Sequence, residues 1–436
     1  MVCCAGYPFA AGGDTTFVVD ASRIKYGSGA LAEVGAEARD AGMRRVALIT
    51  DPYLATSAYV DTVLRSLEAA GCDVAVYADT HVEPTDASFA HAASFAVDGR
   101  FDGFVSVGGG SSIDTAKAAN LYASYPAAFE AYVNAPLGAG RPVPGPLRPH
   151  IACPTTAGTG AEVTGLAIFD YLERRAKTGI ASKRLRPTLG VVDPEVTATL
   201  PKTVVASAGF DVLSHALESF TARPYTHRER PEAPNLRPAA QGANPFSDMA
   251  CLEALRLLGA NIVRATTDAG DHPARERLMW AATLAGIGFG NAGVHVPHAM
   301  SYAVAGLVRS YRAPDYTGPQ EPLVPHGMAV IVNTPAAARA LASASPDRHL
   351  QAAGLLGADV RGAGPGEAGD VLAEAIVALM RATAMPNGVA GVGFKPSDVP
   401  ALRDSAAPQR RLLANAPAPV GPDELADLFH GAMRYW

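Results

Sequence analysis

The amino-acid sequence predicts an α/β domain built on a parallel sheet, followed by an all-α domain, with the division at residues 1–200 and 201–436. Three observations lead there. Short apolar runs such as Arg45–Thr50 (RVALIT) and Gly103–Val107 alternate with helical stretches through the first half, as strands buried on both faces do. Near Pro201 this alternation gives way to long segments of helical periodicity. The 436 residues, 48% hydrophobic and 18% charged, suffice for two domains with substantial cores.

Taken in order, Phe17–Tyr26 alternates like a strand and Ala30–Ala41 reads as a helix. Arg45–Thr50, Asp73–Tyr77 and Gly103–Val107 read as strands, with helices at Val60–Ala70 and Ala87–Asp98 between them. Pro126–Pro149 is rich in Pro and Gly and is expected to cross the surface as a loop. His150–Cys153 is a further strand, Ala167–Ala181 a hairpin-like stretch, and Leu189–Val192 the last strand. Helices are expected at Val204–Ala222, Ser247–Ala265, Ala274–Phe289, Met300–Val308, Gly327–Leu341, Glu367–Thr383 and Glu424–Tyr435. The Pro-rich segment Arg223–Pro245 is expected as an ordered excursion or lid between the first two.

Two stretches carry chemistry. Gly108-Gly109-Gly110-Ser111-Ser112 ends a strand and enters a helix, so bare backbone N–H groups and a helix N-terminus can receive an anion. A tight strand–helix turn would read the same way. Asp51 ends an earlier strand, where a carboxylate can hydrogen-bond a ribose 2′-hydroxyl and repel a 2′-phosphate, favouring NAD; it can equally be a turn residue. Pro154–Glu162 (PTTAGTGAE) brings Thr155, Thr156 and Thr159, whose hydroxyls could line a cofactor pocket or cap a helix. Asp114, Lys117 and Lys177 complete the candidate cofactor-binding set.

The second stretch is Ala208–Ser219 (AGFDVLSHALES). Asp211 and His215 stand four apart and share a helix face, as a surface Asp–His pair also would. Downstream lie His295, His298 and His326 in segments marked by Gly and Pro. Imidazoles with a carboxylate make a mixed nitrogen and oxygen set suited to Fe²⁺ or Zn²⁺ and unlike a calcium cage.

Formal net charge is −6 without a long basic run, which argues against nucleic acid and anionic membranes as partners. Cys3, Cys4, Cys72, Cys153 and Cys251 show no C-x-x-C spacing, so a thiolate metal site or disulfide framework is not expected. The N-terminal residues lack the marks of a signal or transit peptide, and no apolar run reaches membrane-spanning length. Soluble and cytoplasmic is the resulting expectation.

The segments VGGGSSIDTAK, PTTAGTGAEVTG, GFDVLSHALES, HAMSYAVAG and VPHGMAV occur in order over most of the chain. Together they resemble the iron-containing alcohol dehydrogenase family. VEPTDASF, ANLYAS, AIFDY, QGANPFSD and AGIGFGNAGVH resemble its hydroxyacid-oxoacid transhydrogenase branch. The resemblance implies a Rossmann-like dinucleotide domain and a helical domain, an architecture similar to dehydroquinate synthase, with metal held in the cleft between them. It implies Asp211, His215, His298 and His326 as metal ligands, NAD and a divalent ion (Fe²⁺, or Zn²⁺) as cofactors, and a homo-oligomer, taken as a dimer. It implies small-molecule substrates: a hydroxyacid such as 4-hydroxybutyrate is oxidised to succinic semialdehyde while 2-oxoglutarate is reduced to 2-hydroxyglutarate, with the coenzyme retained.

Many family members carry a second His four residues after the one opening the HAMSY-type motif; here that position is Tyr302. Tyr302 and His295 are therefore the candidates for the proton path, His295 being equally readable as a surface histidine. Arg309 and Arg312 are candidates for the substrate carboxylate, or else solvated loop arginines. Two other functions are open: an NAD-dependent alcohol dehydrogenase that releases NADH, and a catalytically silent metal- or nucleotide-binding protein.

Overall fold

Strand β4 (Gly103–Gly108) is buried along its whole length and pairs in parallel with a neighbour on each side, so its apolar run has no solvent face to alternate with. It belongs to a computed structural model that describes residues 7–174, 176–316 and 322–436; Cys3 and Cys4 lie outside the described residues. Around it gather β1 (Arg23–Tyr26), β2 (Arg45–Ile49), β3 (Asp73–Tyr77), β5 (His150–Pro154) and, after the hairpin β6 (Leu166–Tyr171) and β7 (Ala176–Ala181), β8 (Leu189–Val192). Six of these form a parallel sheet in the order β1-β8-β5-β4-β2-β3, and β6–β7 form an antiparallel pair. The sheet, α1 (Val34–Asp40), α2 (Ala58–Ala69), α3 (Asp86–Gly99) and α4 (Gly110–Ser124) make one compact unit, Ala21–Leu200.

From β2 the chain runs outward to β3, and from β4 it runs the other way to β5, so the order reverses between β2 and β4. The carboxyl ends of such a pair open a crevice at which nucleotides bind in sheets of this kind. Here Asp51 follows β2 and the glycine run follows β4.

Helix α4 is buried continuously from Ser112 to Tyr122. Its outer face packs with Phe89, Phe169, Tyr132, Val133 and Ile180. The loop expected merely to cross the surface at Pro126–Pro149 therefore contributes Tyr132 and Val133 to a core. Inside α4, Lys117 Nζ lies 3.0 Å from Asp114 and donates to the Leu166 carbonyl at 2.7 Å. The other Asp114 oxygen accepts the Ile168 N–H at 3.0 Å. Burial depresses the Lys117 ammonium and raises the Asp114 carboxyl, each partly offset by the other.

The second unit contains Pro201–Trp436 and the segment 7–20. Its helices are α5 (Lys202–Thr221), α6 (Pro245–Thr267), α7 (His272–Ala292), α8 (Val296–Gly306), α9 (His326–Ile331), α10 (Thr334–Leu341), α11 (Pro346–Leu355), α12 (Ala368–Ala382), α13 (Val399–Ala406), α14 (Arg410–Leu413) and α15 (Pro422–Gly431). The centre is α5, buried almost throughout from Val205 to Thr221 and packed by α6, α7 and α9. The expected helix Gly327–Leu341 is two helices, because Pro335 has no N–H to continue the ladder and α10 starts afresh at Thr334. Arg223–Pro245 is an ordered excursion, with bridges Pro224–Ala243 and Gly13–Glu229 and a two-bond ion pair from Arg237 to Asp14.

Residues 17–20 depart from expectation. The strand is only Arg23–Tyr26, and Val18 and Asp20 lie with the helical unit. The Gln241 amide exchanges two 2.7 Å bonds with the Val18 backbone, and the Asn291 amide exchanges two 2.9 Å bonds with that of Asp20. Two side chains thus replace a neighbouring strand, which alternation of residue type cannot foretell.

Replacing Lys117 by Ala would leave the Asp114 carboxylate buried without its cation. A loss of about 3–5 kcal/mol is expected. An unchanged urea midpoint would show that the pair does not couple α4 to β6.

Candidate metal centre

Helix α5 presents Asp211, His215 and Glu218 at i, i+4 and i+7, on one face. Helix α8 supplies His298 from its first turn and α9 opens with His326. One donor atom from each of Asp211, His215, His298 and His326 lies within 4.8 Å of every other. Asp211 Oδ1 stands 3.6 Å from His215 Nε2, 3.8 Å from His298 Nε2 and 3.7 Å from His326 Nε2. Bonds of about 2.1 Å to a tetrahedral ion set donors about 3.4 Å apart, close to the spacing of Asp211 from each of the three imidazoles.

The chemistry of His298 tests whether an ion fits. Its Nδ1–H donates to Glu218 Oε1 at 2.6 Å, which fixes the tautomer and leaves Nε2 as an acceptor lone pair aimed at the cluster. That Nε2 is buried and has no hydrogen-bond partner among the described residues. A buried acceptor with nothing to accept is costly unless a cation is its partner. The residues present fit a divalent ion.

Glu218 has a second task. Its Oε2 accepts the backbone N–H of His295 at 2.6 Å and of His298 at 3.4 Å, doing for α8 what an N-cap side chain does elsewhere. Burial pushes Glu218 up, but His298 and the His295 N–H outweigh it and hold the carboxyl below its usual range. His298 is likewise lowered by burial and raised more strongly by Glu218 and Asp211. His215 stacks on Phe289 with ring centres 4.1 Å apart. A Cβ on Gly327 would stand 2.0 Å from the Ser207 carbonyl oxygen, so the close approach of α9 to α5 that carries His326 needs glycine there. Glu218 and Gly327 had no role in the sequence reading. The signal for Glu218 was a carboxylate three residues past His215 on a helix otherwise apolar enough to be buried.

Of the proposed proton carriers, Tyr302 is buried one turn beyond His298, its ring 6.3 Å from that of His326. His295 is not among the clustered donors. It is buried, bonded through Nε2 to Thr221 Oγ1 at 3.1 Å, and lowered by burial to about 4. Arg309 does not wait for a substrate either; it pairs with Asp398 at 2.8 Å. Arg312 is exposed, with its backbone paired to Leu323.

In the sheet unit, Asp51 Oδ1 accepts the N–H groups of Tyr53 and Leu54 at 2.9 Å, and burial raises its carboxyl. Asp51 Oδ2 would lie 3.7 Å from a Cβ on Gly108. A Cβ on Gly110 would strike the Thr159 side chain at 2.7 Å, and one on Gly109 would touch Thr156 at 3.4 Å. Asp51, Gly108, Gly109, Gly110, Ser112, Thr156 and Thr159 are therefore brought together, with Thr155 buried beside them. Ser111 is turned aside, its hydroxyl accepting the Glu83 N–H at 3.2 Å.

Three residues expected to contact the cofactor are engaged within the chain. Asp114 and Lys117 satisfy each other inside α4, and Lys177 lies 2.5 Å from Glu83 and 3.1 Å from Asp170. Burial would lower Lys177, but the two carboxylates more than reverse it and lock the charge in place.

The description "iron-containing alcohol dehydrogenase" matches residues 21–194, and that family's C-terminal region matches 239–433. The chain belongs to the iron-containing alcohol dehydrogenase family. Among curated relatives, the bovine "hydroxyacid-oxoacid transhydrogenase, mitochondrial" is 47% identical over 97% of this chain and 91% of its own length. The human protein of that name is 46% identical with the same coverage. Of solved structures, a 1,3-propanediol oxidoreductase aligns at TM-score 0.83 and 27% identity over 96% of this chain and all of its own. The sulfoacetaldehyde reductase of Bifidobacterium kashiwanohense, solved with NAD⁺, shares the fold at TM-score 0.77 and 23% identity, covering 96% and 99%. Like other members of the iron-containing alcohol dehydrogenase family, this chain is a metal-dependent oxidoreductase. The cytoplasmic expectation is overturned: the relatives that match nearly the whole chain are named mitochondrial. No helix among the described residues is long and apolar enough to cross a membrane.

Substituting His215 or His298 by Ala should abolish metal retention while the fold persists. Glu218→Ala should weaken metal affinity by ~10–100-fold through loss of the imidazole's orientation. Competition against a chelator measures both; parental affinity in Glu218→Ala would reduce the glutamate to a helix cap.

Proposed function

We propose that this protein is a hydroxyacid-oxoacid transhydrogenase, moving a hydride from 4-hydroxybutyrate or a similar hydroxyacid to 2-oxoglutarate through a bound NAD. The observation that carries the choice among the family's reactions is the match, over 97% of the chain, to relatives of that name. Asp211, His215, His298 and His326 would hold the divalent ion, taken as Fe²⁺ with Zn²⁺ as the alternative, because imidazoles with one carboxylate suit either. Gly108, Gly109 and Gly110 would admit the pyrophosphate where a side chain would collide, with Ser112, Thr155, Thr156 and Thr159 around it. Asp51, beside them at the reversal of strand order, would take the ribose hydroxyl and exclude a 2′-phosphate.

When bound, the ion supplies Lewis acidity toward the substrate oxygen and the nicotinamide supplies the hydride acceptor. The chain's own residues position and shuttle protons. Glu218 holds the His298 imidazole at one rotation and tautomer. Tyr302, at the His326 side of the cluster, would take the proton of the hydroxyacid and return it when the oxoacid is reduced. His295, kept neutral by burial, would act only through its Thr221 bond. The two half-reactions balance, one acid losing the hydride and proton that the other gains. A homo-oligomer, taken as a dimer, belongs to the same reading.

Incubation of the purified protein with 4-deuterated 4-hydroxybutyrate and 2-oxoglutarate, without added coenzyme, should place deuterium at C2 of 2-hydroxyglutarate. Coenzyme released by denaturation should weigh as NAD and not NADP. A steady rise at 340 nm from hydroxyacid and excess NAD, with no label in 2-hydroxyglutarate, would favour the NADH-releasing dehydrogenase instead.

Tyr302→Phe keeps the ring and deletes the hydroxyl. Turnover should fall at least ~10-fold with metal content intact, the low end for a positioned proton carrier. A parental rate and pH profile would make Tyr302 part of the wall.

A further inference from the structure

Acid substrates bring a carboxylate that needs a cation, and most candidate arginines of the helical unit are already engaged. Arg309 is paired with Asp398, Arg237 with Asp14, and Arg348 with Asp248 while it donates to the Phe220 carbonyl. Arg411 on α14 is different. It is exposed, and among the described residues no carboxylate, carbonyl or hydroxyl bonds its guanidinium.

Its neighbours place α14 beside α8. Leu412 is buried against Ala299 and Tyr302 of α8, and Leu413 packs on the same cluster. Ala299 follows His298 directly, and the Tyr302 ring faces that of His326. The His326 side chain is 23% exposed against 3–5% for Asp211, His215 and His298, so the donor cluster opens to solvent on this side.

We propose that Arg411 is the carboxylate anchor of a substrate subsite on the open side of the metal centre, serving short-chain hydroxyacids and oxoacids alike. This rests on the transhydrogenase reading. A guanidinium offers two parallel N–H donors to a carboxylate, and an exposed one pays little desolvation to receive it. A single anchor used by both acids requires the oxidised product to leave before the oxoacid binds, so the two acids exclude each other. Neutral alcohols would gain nothing from it, which makes Arg411 a determinant of specificity.

The test is calorimetric titration of the metal-loaded, coenzyme-bound protein with butyrate, an acid that has no hydroxyl to react. The parent is compared with Arg411→Ala, Arg411→Lys and, as a neighbouring exposed cation, Arg410→Ala, with metal content measured in each. Arg411→Ala should weaken butyrate at least ~10-fold, as expected for a lost charge-assisted bond. Arg411→Lys should fall between, and Arg410→Ala should match the parent. The kcat/KM ratio of 4-hydroxybutyrate to 1-butanol should drop by a similar factor in Arg411→Ala. Equal butyrate affinity in parent and Arg411→Ala overturns the anchor, as does a parent that binds no butyrate. A parent that holds butyrate through Arg411 yet transfers no label keeps the anchor and overturns the transhydrogenase reading.

Discussion

The helical unit is organised around one buried carboxylate. Glu218 receives the His298 imidazole on one oxygen and the first N–H groups of α8 on the other. Those contacts fix three things together: where α8 begins, how the His298 ring is turned, and which ring nitrogen faces Asp211. The carboxylate is affordable so deep in the protein because every charge-assisted bond it accepts offsets its desolvation. Remove it, and the start of α8 loses its cap while the imidazole loses its orientation. Stability and metal chemistry therefore draw on the same side chain.

Buried charge serves a different purpose in the sheet unit. Lys117 with Asp114, and Lys177 with Glu83 and Asp170, join strands and helices through ions closed to solvent. Such pairs contribute modestly to net stability, yet breaking one leaves an uncompensated ion. Their effect is to spend lysines that stand close in sequence to the glycine run and the hairpin. What the glycine run then offers an anion is backbone and hydroxyl groups, with Asp51 at its edge. That composition suits a neutral ribose 2′-hydroxyl beside the pyrophosphate better than a 2′-phosphate.

The clustered donors and the glycine run were legible in the sequence because each is a local pattern with a short range of meanings. Asp211 and His215 share a helix face by periodicity alone, and a strand that ends in three glycines must turn tightly. Elements misjudged were those whose partners lie far away. Val18 and Asp20 alternate like a strand, but their partners are the amides of Gln241 and Asn291, more than 220 residues on. Arg309 likewise meets a distant partner, Asp398.

The sequence by itself determined the order of elements, the family, the four clustered donors and the glycine turn, because these depend on residue type, spacing and the backbone conformations glycine permits. Tertiary structure alone decided which polar side chains remain available. Lys117, Lys177 and Arg309 are consumed by partners, His295 is sealed beside Thr221, Glu218 is recruited to the metal centre, and Arg411 is left without a carboxylate among the described residues. The physical reason is that a charge in a folded chain belongs to whichever opposite group packing brings within about 3–4 Å. No periodicity in the sequence encodes that distance.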